Sequence, residues 1–196
     1  MLDIIRAKIR ALVTDNSKSG FQTFVYTTSA IFTIAQENIT ITKVLLDSVE
    51  TDDYSFDSVT NKITITASAL DTSSVIEVDY TYNKYSDTEI DGYVKSALVF
   101  ISVYSRSDEF NFELEGESAG DTEIVPTMDS HVGDLVSLVA SILIKPNYSQ
   151  YSLPNLKVVY PTKMTKEDRI AKLITRFNEG IGLISVIQFN EYPYDY

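Results

Sequence analysis

Hydrophobic and polar residues along the chain change their spacing once, close to residue 86. Before that point, short segments alternate apolar and polar side chains as half-buried strands do, most clearly over residues 76–82. After it, residues 86–106 carry apolar side chains three and four positions apart, which is typical of an amphipathic helix. Ser86 and Glu89 stand where a capping box would place them at the start of that helix. The pattern predicts a β region followed at once by a capped core helix.

The alternating region predicts five or six short strands. Residues 54–56 and 62–66 are expected to form a hairpin through residues 57–61, and residues 15–20 are expected to form a turn. The predicted strands are 21–27, 31–34, 39–41, 54–56, 62–66 and 75–82. Strands of this number and length form a small sandwich or barrel.

Four helices are predicted around this β region. They are expected at residues 2–13, 87–105 and 130–144, and over a segment that opens at 165–168 and stops at Gly180. The third has an apolar face wide enough for the centre of a core or for burial between subunits. The acidic residues 108–127 are predicted to form an exposed loop, and 155–160 and 181–189 to be extended.

Together these elements predict an α+β protein, with a small helical-bundle core and an inserted antiparallel β module that is sandwich- or barrel-like. Residues 1–20 and 86–196 are assigned to the helical core with its C-terminal tail, and 21–85 to the inserted β domain. No segment approaches the ~20 apolar residues that span a bilayer, and we expect a soluble protein that makes no contact with a membrane. The chain has no cysteine, which excludes disulfides and thiolate metal sites.

The formal net charge of −12 is unevenly distributed. Residues 107–144 contain nine acidic side chains and no Lys or Arg, whereas the first and last predicted helices are basic. Such a body would repel nucleic acid rather than grip its phosphates. Two interpretations remain open: a solvated surface that promotes solubility, or a wall along which DNA slides. In the second, the candidate lining residues are Asp108, Glu109, Glu113, Glu115 and Glu117.

The sequence contains no recognisable catalytic or metal-binding pattern. Ser130, His131 and Asp134 are close together in sequence without a nucleophile elbow, and Ser130 and His131 are better placed to cap or flank the third helix. The acidic pairs do not match a calcium-binding loop, and Gly180-x-Gly182 lacks the rest of a nucleotide-binding motif. We therefore expect no enzyme activity, no cofactor and no metal.

The last nine residues contain four aromatic side chains beside a proline. Aromatic residues are favoured anchors at protein interfaces. We regard them as a candidate partner interface, the alternative being that they fold back on their own subunit or lack fixed structure. The four are Phe189, Tyr192, Tyr194 and Tyr196.

Three segments carry a resemblance to a known family. Residues 86–98 resemble the helix opening of the head-to-tail connector proteins of tailed bacteriophages, which include adaptor, head-completion and neck proteins. Residues 32–82 are similar to small β modules of phage structural proteins. The third segment is 135–146, followed by Tyr151-x-Leu-Pro-Asn and a C-terminal helix. The β insertion departs from the simplest members of the family, which are smaller and mostly helical.

The resemblance implies a structural virion protein at the head–tail junction. It implies a homo-oligomeric ring, commonly twelvefold, that contacts the portal protein and a tail or second neck protein and lets DNA pass without specific binding. The apolar faces of the second and third helices are candidates for the seam between subunits. Two alternatives stay open: a tail-completion or other neck component, and a β-rich module that binds a host surface or carbohydrate through Tyr80, Tyr82 and Tyr85.

Overall fold

The computed structural model describes residues 1–67, 70–105, 111–116, 122–153, 156–161 and 163–179, and the backbone of 185–188. The chain divides into two compact units. The helical unit comprises Met1–Asp15 and Asp87–Tyr196, and the β unit comprises Asn16–Ser86. Four helices and twelve strands occur in the described part of the chain. The predicted α+β class is confirmed.

The helices begin and end close to the predicted positions. They are α1 (Leu2–Leu12), α2 (Asp87–Ser105), α3 (Ser130–Ile144) and α4 (Lys166–Asn178). Ser130 and His131 were predicted to cap or flank α3; they lie in its first turn, but neither is its N-cap. Asp129 is the N-cap, because its Oδ1 accepts hydrogen bonds of 2.8 Å from the backbone N–H groups of both His131 and Val132.

Helix α3 lies at the centre of the helical unit, where it packs against α1, α2 and α4. Its polar Ser137 and Ser141 are also buried, and their hydroxyls donate to backbone carbonyls one turn earlier at 2.7 Å. The predicted central position of α3 is confirmed. The apolar face of α3 is buried within its own helical unit and is not available to a second subunit. The prediction that this face forms part of a subunit seam is therefore wrong. The buried apolar residues of α3 are Val132, Leu135, Val136, Leu138, Val139, Ala140 and Ile142.

The β unit is a sandwich of two antiparallel sheets. Its strands are β1 (Lys18–Val25), β2 (Ile31–Thr33), β3 (Ile39–Leu46), β4 (Val49–Glu50), β5 (Tyr54–Asp57), β6 (Lys62–Ile65) and β7 (Val75–Tyr82). One sheet has the order β1-β7-β3-β4 and the other β2-β6-β5. Alternate residues of both sheets share one core, to which Val44 and Val78 contribute from the first sheet and Ile63 and Ile65 from the second. Neither of these described sheets closes into a barrel.

The sequence prediction for the β unit holds at the hairpin and fails at the start of β1. Strands β5 and β6 pair antiparallel, as expected for that hairpin. Residues 18–20, which were predicted to belong to a turn, instead pair with residues 80–82 of β7. The alternation of apolar residues begins only at Phe21, because Lys18, Ser19 and Gly20 contribute no apolar side chain to the pattern.

The helical unit also contains short strands. They are β8 (Glu113–Glu115), β9 (Glu123–Val125), β10 (Gln150–Leu153), β11 (Leu156–Val159) and β12 (Ser185–Gln188). Strands β8 and β9 pair antiparallel, so the predicted loop is wrong at these positions. Strand β8 has one apolar residue, Leu114, and β9 has two adjacent ones, Ile124 and Val125, so neither strand shows the alternation that predicts a strand. Strand β11 pairs antiparallel with β10 and parallel with β12.

Candidate interaction surfaces

The three cations of α1 are engaged by carboxylates of the same unit. Buried Arg6 donates two hydrogen bonds to Asp91 of α2, at 2.8 and 2.6 Å, and a third to Asp3 at 2.9 Å. The hydrogen bond to Asp91 is the main reason that the pKa of Arg6 is raised above its ordinary value, with burial opposing it. The guanidinium therefore fastens α1 to α2 through a bidentate pair.

The other two α1 cations, Lys8 and Arg10, also form ion pairs with carboxylates of the helical unit. Arg10 contacts Asp15 at 2.6 Å and Asp87 at 2.8 Å, and Lys8 contacts Asp134 of α3 at 2.5 Å. The basic character of the first helix serves to join it to α2 and α3. Little of this charge is left for the phosphates of a nucleic acid.

Arg169 of α4 is almost fully buried, and sequence reasoning did not single it out. It lies against the ring of Tyr160, with its Cζ atom 5.4 Å from the ring centroid. Its guanidinium donates to four backbone carbonyls, those of Pro146 and Tyr148 at 2.6 Å and of Pro161 and Met164 at 3.1 Å. Arg169 thus ties the start of α4 to the segment after α3. A cation that looks like surface charge in the sequence is a structural residue.

The candidate DNA-lining carboxylates fall into two groups. Glu113 and Glu115 are exposed on β8, and Glu115 lies directly opposite exposed Glu123 of β9. Asp108, Glu109 and Glu117 lie outside the described residues. Side chains that pair directly across two strands project from the same face. The described hairpin therefore presents an acidic outer face, whereas Ile124 is buried on the other side.

The candidate interface aromatics Phe189, Tyr192, Tyr194 and Tyr196 also lie outside the described residues. The structure adds a different apolar surface on α2. Val99 and Val103 are 59% and 67% exposed, and the rings of Phe100 and Tyr104 stack at 6.1 Å beside them. With exposed Ser96, these four residues form what we call the α2 stripe, which contains no charged side chain. The three- and four-residue spacing of these residues is the sequence signal that could have revealed this surface.

The three tyrosines considered for carbohydrate binding have different environments. Tyr80 is only 8% exposed and belongs to the sandwich core, so it cannot present its ring to a ligand. Tyr82 is half-buried and lines a cavity of about 240 Å³. The ring of Tyr85 lies under the ammonium group of Lys84, which is 5.0 Å from the ring centroid.

The residues considered for catalysis, Ser130, His131 and Asp134, all lie on α3. His131 and Ser130 are exposed in the first turn of α3, and the Asp134 carboxylate accepts from Lys8. Within the described residues, no three His, Cys, Asp or Glu side chains cluster as metal ligands.

Burial raises the pKa of Tyr151 to about 12 and also raises the pKa of Tyr160, so both phenols stay neutral. None of the described helices has the length and apolar character needed to cross a membrane.

Comparison with known proteins adds no assignment. No protein-family model matches the chain, and no curated protein matches it significantly.

Proposed function

We propose that this chain is a structural virion protein that forms a ring between the portal of a phage head and the tail. The observation that carries the proposal is the α2 stripe, an uncharged apolar surface that lies outside the buried core formed by the described residues of the helical unit. Exposed apolar surface of this kind is typical of an interaction site. The stripe gives each subunit one face of a heterologous contact, which closes into a ring when repeated around an axis.

The charges of the helical unit support the passage of DNA through such a ring. All three α1 cations and Arg169 are engaged within the unit, whereas Glu113, Glu115 and Glu123 point outward. A lumen lined by these carboxylates would lower the affinity for packaged DNA and let it slide. The role needs no catalytic group, cofactor or metal. The C-terminal aromatics remain the proposed contact with the portal or with a second neck or tail protein.

Native mass measurement of the full chain, alone and with its cognate portal, tests the proposal. We expect a homo-oligomeric ring that binds the portal, and we expect Val99→Asp or Val103→Asp to convert it to monomers. Val59→Asp is a matched control, because Val59 is 90% exposed and belongs to the β unit instead of the stripe. Circular dichroism of each variant shows whether it still folds.

Each result has a distinct meaning. A strict monomer that ignores the portal would overturn the proposal. Rings that persist in both stripe variants would move the seam away from α2. Rings that bind the end of a tail tube instead of the portal would assign the chain to tail completion.

A further inference from the structure

Helix α1 has an uncharged surface of its own on its outer side. Ile4 is 54% exposed, and Ala7 and Ala11 are exposed at the next three- and four-residue steps. We call these three residues the α1 stripe. Lys8 borders the stripe, but its ammonium group contacts Asp134 of α3, so its charge is balanced within the unit. Like the α2 stripe, the α1 stripe contains no charged side chain.

The two stripes lie on opposite sides of the pair of helices that carries them. Arg6 and Asp91 mark the sides on which α1 and α2 contact each other. At about 3.6 residues per turn, each stripe is centred about 130° around its own helix from that contact residue. Each stripe therefore faces away from the other helix. A heterologous contact in a large ring needs two different surfaces of one subunit that face in roughly opposite directions.

The directions of the two helices also suit a contact between subunits. Arg6 contacts Asp91, and Arg10, one turn later on α1, contacts Asp87, one turn earlier on α2. Helices α1 and α2 therefore run antiparallel within one subunit. Because neighbours in a large ring differ by only a small rotation, α1 of one copy is also close to antiparallel to α2 of the next.

In that antiparallel direction the stripes match in length and in side-chain size. The segments 4–11 and 96–103 have the same number of residues and are each about 10 Å long. One register places every member of the α1 stripe opposite a member of the α2 stripe. The opposed pairs are Ile4 with Val103, Ala7 with Phe100, and Ala11 with Ser96. The small alanine side chains leave a groove for the larger side chains of α2, as in ridge-into-groove packing.

We propose that the α1 stripe of one copy is the surface on which the α2 stripe of the next copy packs. This inference rests on the proposed ring and identifies the second face of its repeating contact. The occupant is a second copy of this chain, because one unit carries both surfaces and their members align in a single register. The contact removes from water two apolar surfaces that the isolated subunit exposes.

Disulfide cross-linking of the full chain tests this contact, because the sequence has no cysteine to interfere. Ala11→Cys and Ser96→Cys are conservative changes at two small, exposed and opposed positions. When the two single variants are mixed before assembly and oxidised, we expect linked dimers, and the double variant should give a ladder of linked oligomers. Either variant alone should stay unlinked, since a heterologous contact does not bring a residue against its own copy. Val59→Cys mixed with Ser96→Cys is the matched control, because Val59 is exposed in the β unit.

A charge exchange tests the same contact without cysteines. Ala7→Asp should convert rings to monomers by placing a carboxylate in the apolar contact. Val99→Lys in the same chain should restore rings, because the two introduced charges attract each other across the contact. Circular dichroism shows whether each variant still folds.

The outcomes separate this contact from the ring itself. Rings that survive Ala7→Asp and give no link above the control would overturn the α1 assignment and leave the proposed ring intact. Links between two copies of Ser96→Cys would also overturn it, because they indicate a two-fold contact between α2 stripes. A chain that stays monomeric under all conditions would overturn both the contact and the ring.

Discussion

The ring of Tyr80 lies over Gly20, its direct partner across strands β1 and β7. A Cβ atom added to Gly20 would stand 2.6 Å from Cε2 and 2.8 Å from Cζ of that ring. Tyr80 is buried in the sandwich core and cannot simply swing away. Glycine is therefore required at position 20, because the Tyr80 ring occupies the space that a Cβ atom would fill.

We expect Gly20→Ala to destabilise the β unit by about 1–3 kcal/mol, the usual cost of overpacking a filled core. Chemical denaturation followed by circular dichroism measures the change. Gly92→Ala is the matched control, because Gly92 lies in helix α2 and a Cβ atom added there would have open space for 4 Å around it. At Gly92 the same substitution should stabilise by about 0.5–1 kcal/mol. Equal effects at the two sites would contradict the role assigned to the Tyr80 ring.

The bidentate pair between Arg6 and Asp91 provides a second test. Both residues are only 8% exposed, so removal of Asp91 deprives the buried Arg6 guanidinium of its bidentate partner, while the contact with exposed Asp3 remains. Asp91→Ala should lower the free energy of unfolding by about 3–5 kcal/mol. Glu50→Ala, which breaks the exposed contact with Lys43, should cost at most about 1 kcal/mol. A small effect of Asp91→Ala in thermal unfolding would mean that Arg6 finds another partner.

A pH titration tests the turn between β5 and β6. The pKa of Asp57 is lowered, first by the hydrogen bond from the Thr60 hydroxyl and then by the Val59 N–H. Its contribution to stability is present above the unfolded pKa and is lost as the pH falls through the lower, folded value. Thr60→Val should move the Asp57 midpoint, followed by carboxyl ¹³C NMR, back towards its ordinary value. An unchanged midpoint would show that the Thr60 hydroxyl is not the cause of the lowered Asp57 pKa.

The sequence predicted the elements that have a clear period and missed those that depend on distant partners. Helices α2 and α3 have long apolar patterns and were placed correctly at both ends. The β8–β9 hairpin was missed because β8 has one apolar residue and β9 has two adjacent ones, so neither strand shows alternation. Asp129 was missed as the cap of α3 because it competes with Ser130 in sequence.

The functional surfaces were harder to predict for the same reason. The engagement of Arg6 depends on Asp91, which is 85 positions away in sequence. The burial of Arg169 depends on carbonyls of two separate turns, at residues 145–148 and 161–164, which no local pattern reveals. Similarly, the sequence could not show that Tyr80 is buried in the core, whereas Tyr82 lines a cavity.

The acidic face of the β8–β9 hairpin gives the most direct test of the DNA-sliding interpretation. If Glu113, Glu115 and Glu123 line a channel, replacing all three with Lys should increase DNA retention by the assembled ring. The increase should fall steeply as salt is raised, because each added cation releases counterions from the phosphates. DNA binding measured across a salt series, together with DNA ejection from assembled particles, provides the readout.

Asp52→Lys with Asp53→Lys is a suitable control, because both residues are exposed carboxylates in the β unit. This pair alters the net charge by four, whereas the triple variant alters it by six, so the comparison is made per charge. An effect of the hairpin variant that greatly exceeds the control per charge supports a channel position. The same small effect from both would leave only the interpretation that the carboxylates promote solubility.

Because Glu115 and Glu123 repel each other across the strands, Glu123→Lys alone should also stabilise the hairpin by about 0.2–1 kcal/mol. Stabilisation of the hairpin without DNA retention would therefore separate its folding from any contact with DNA.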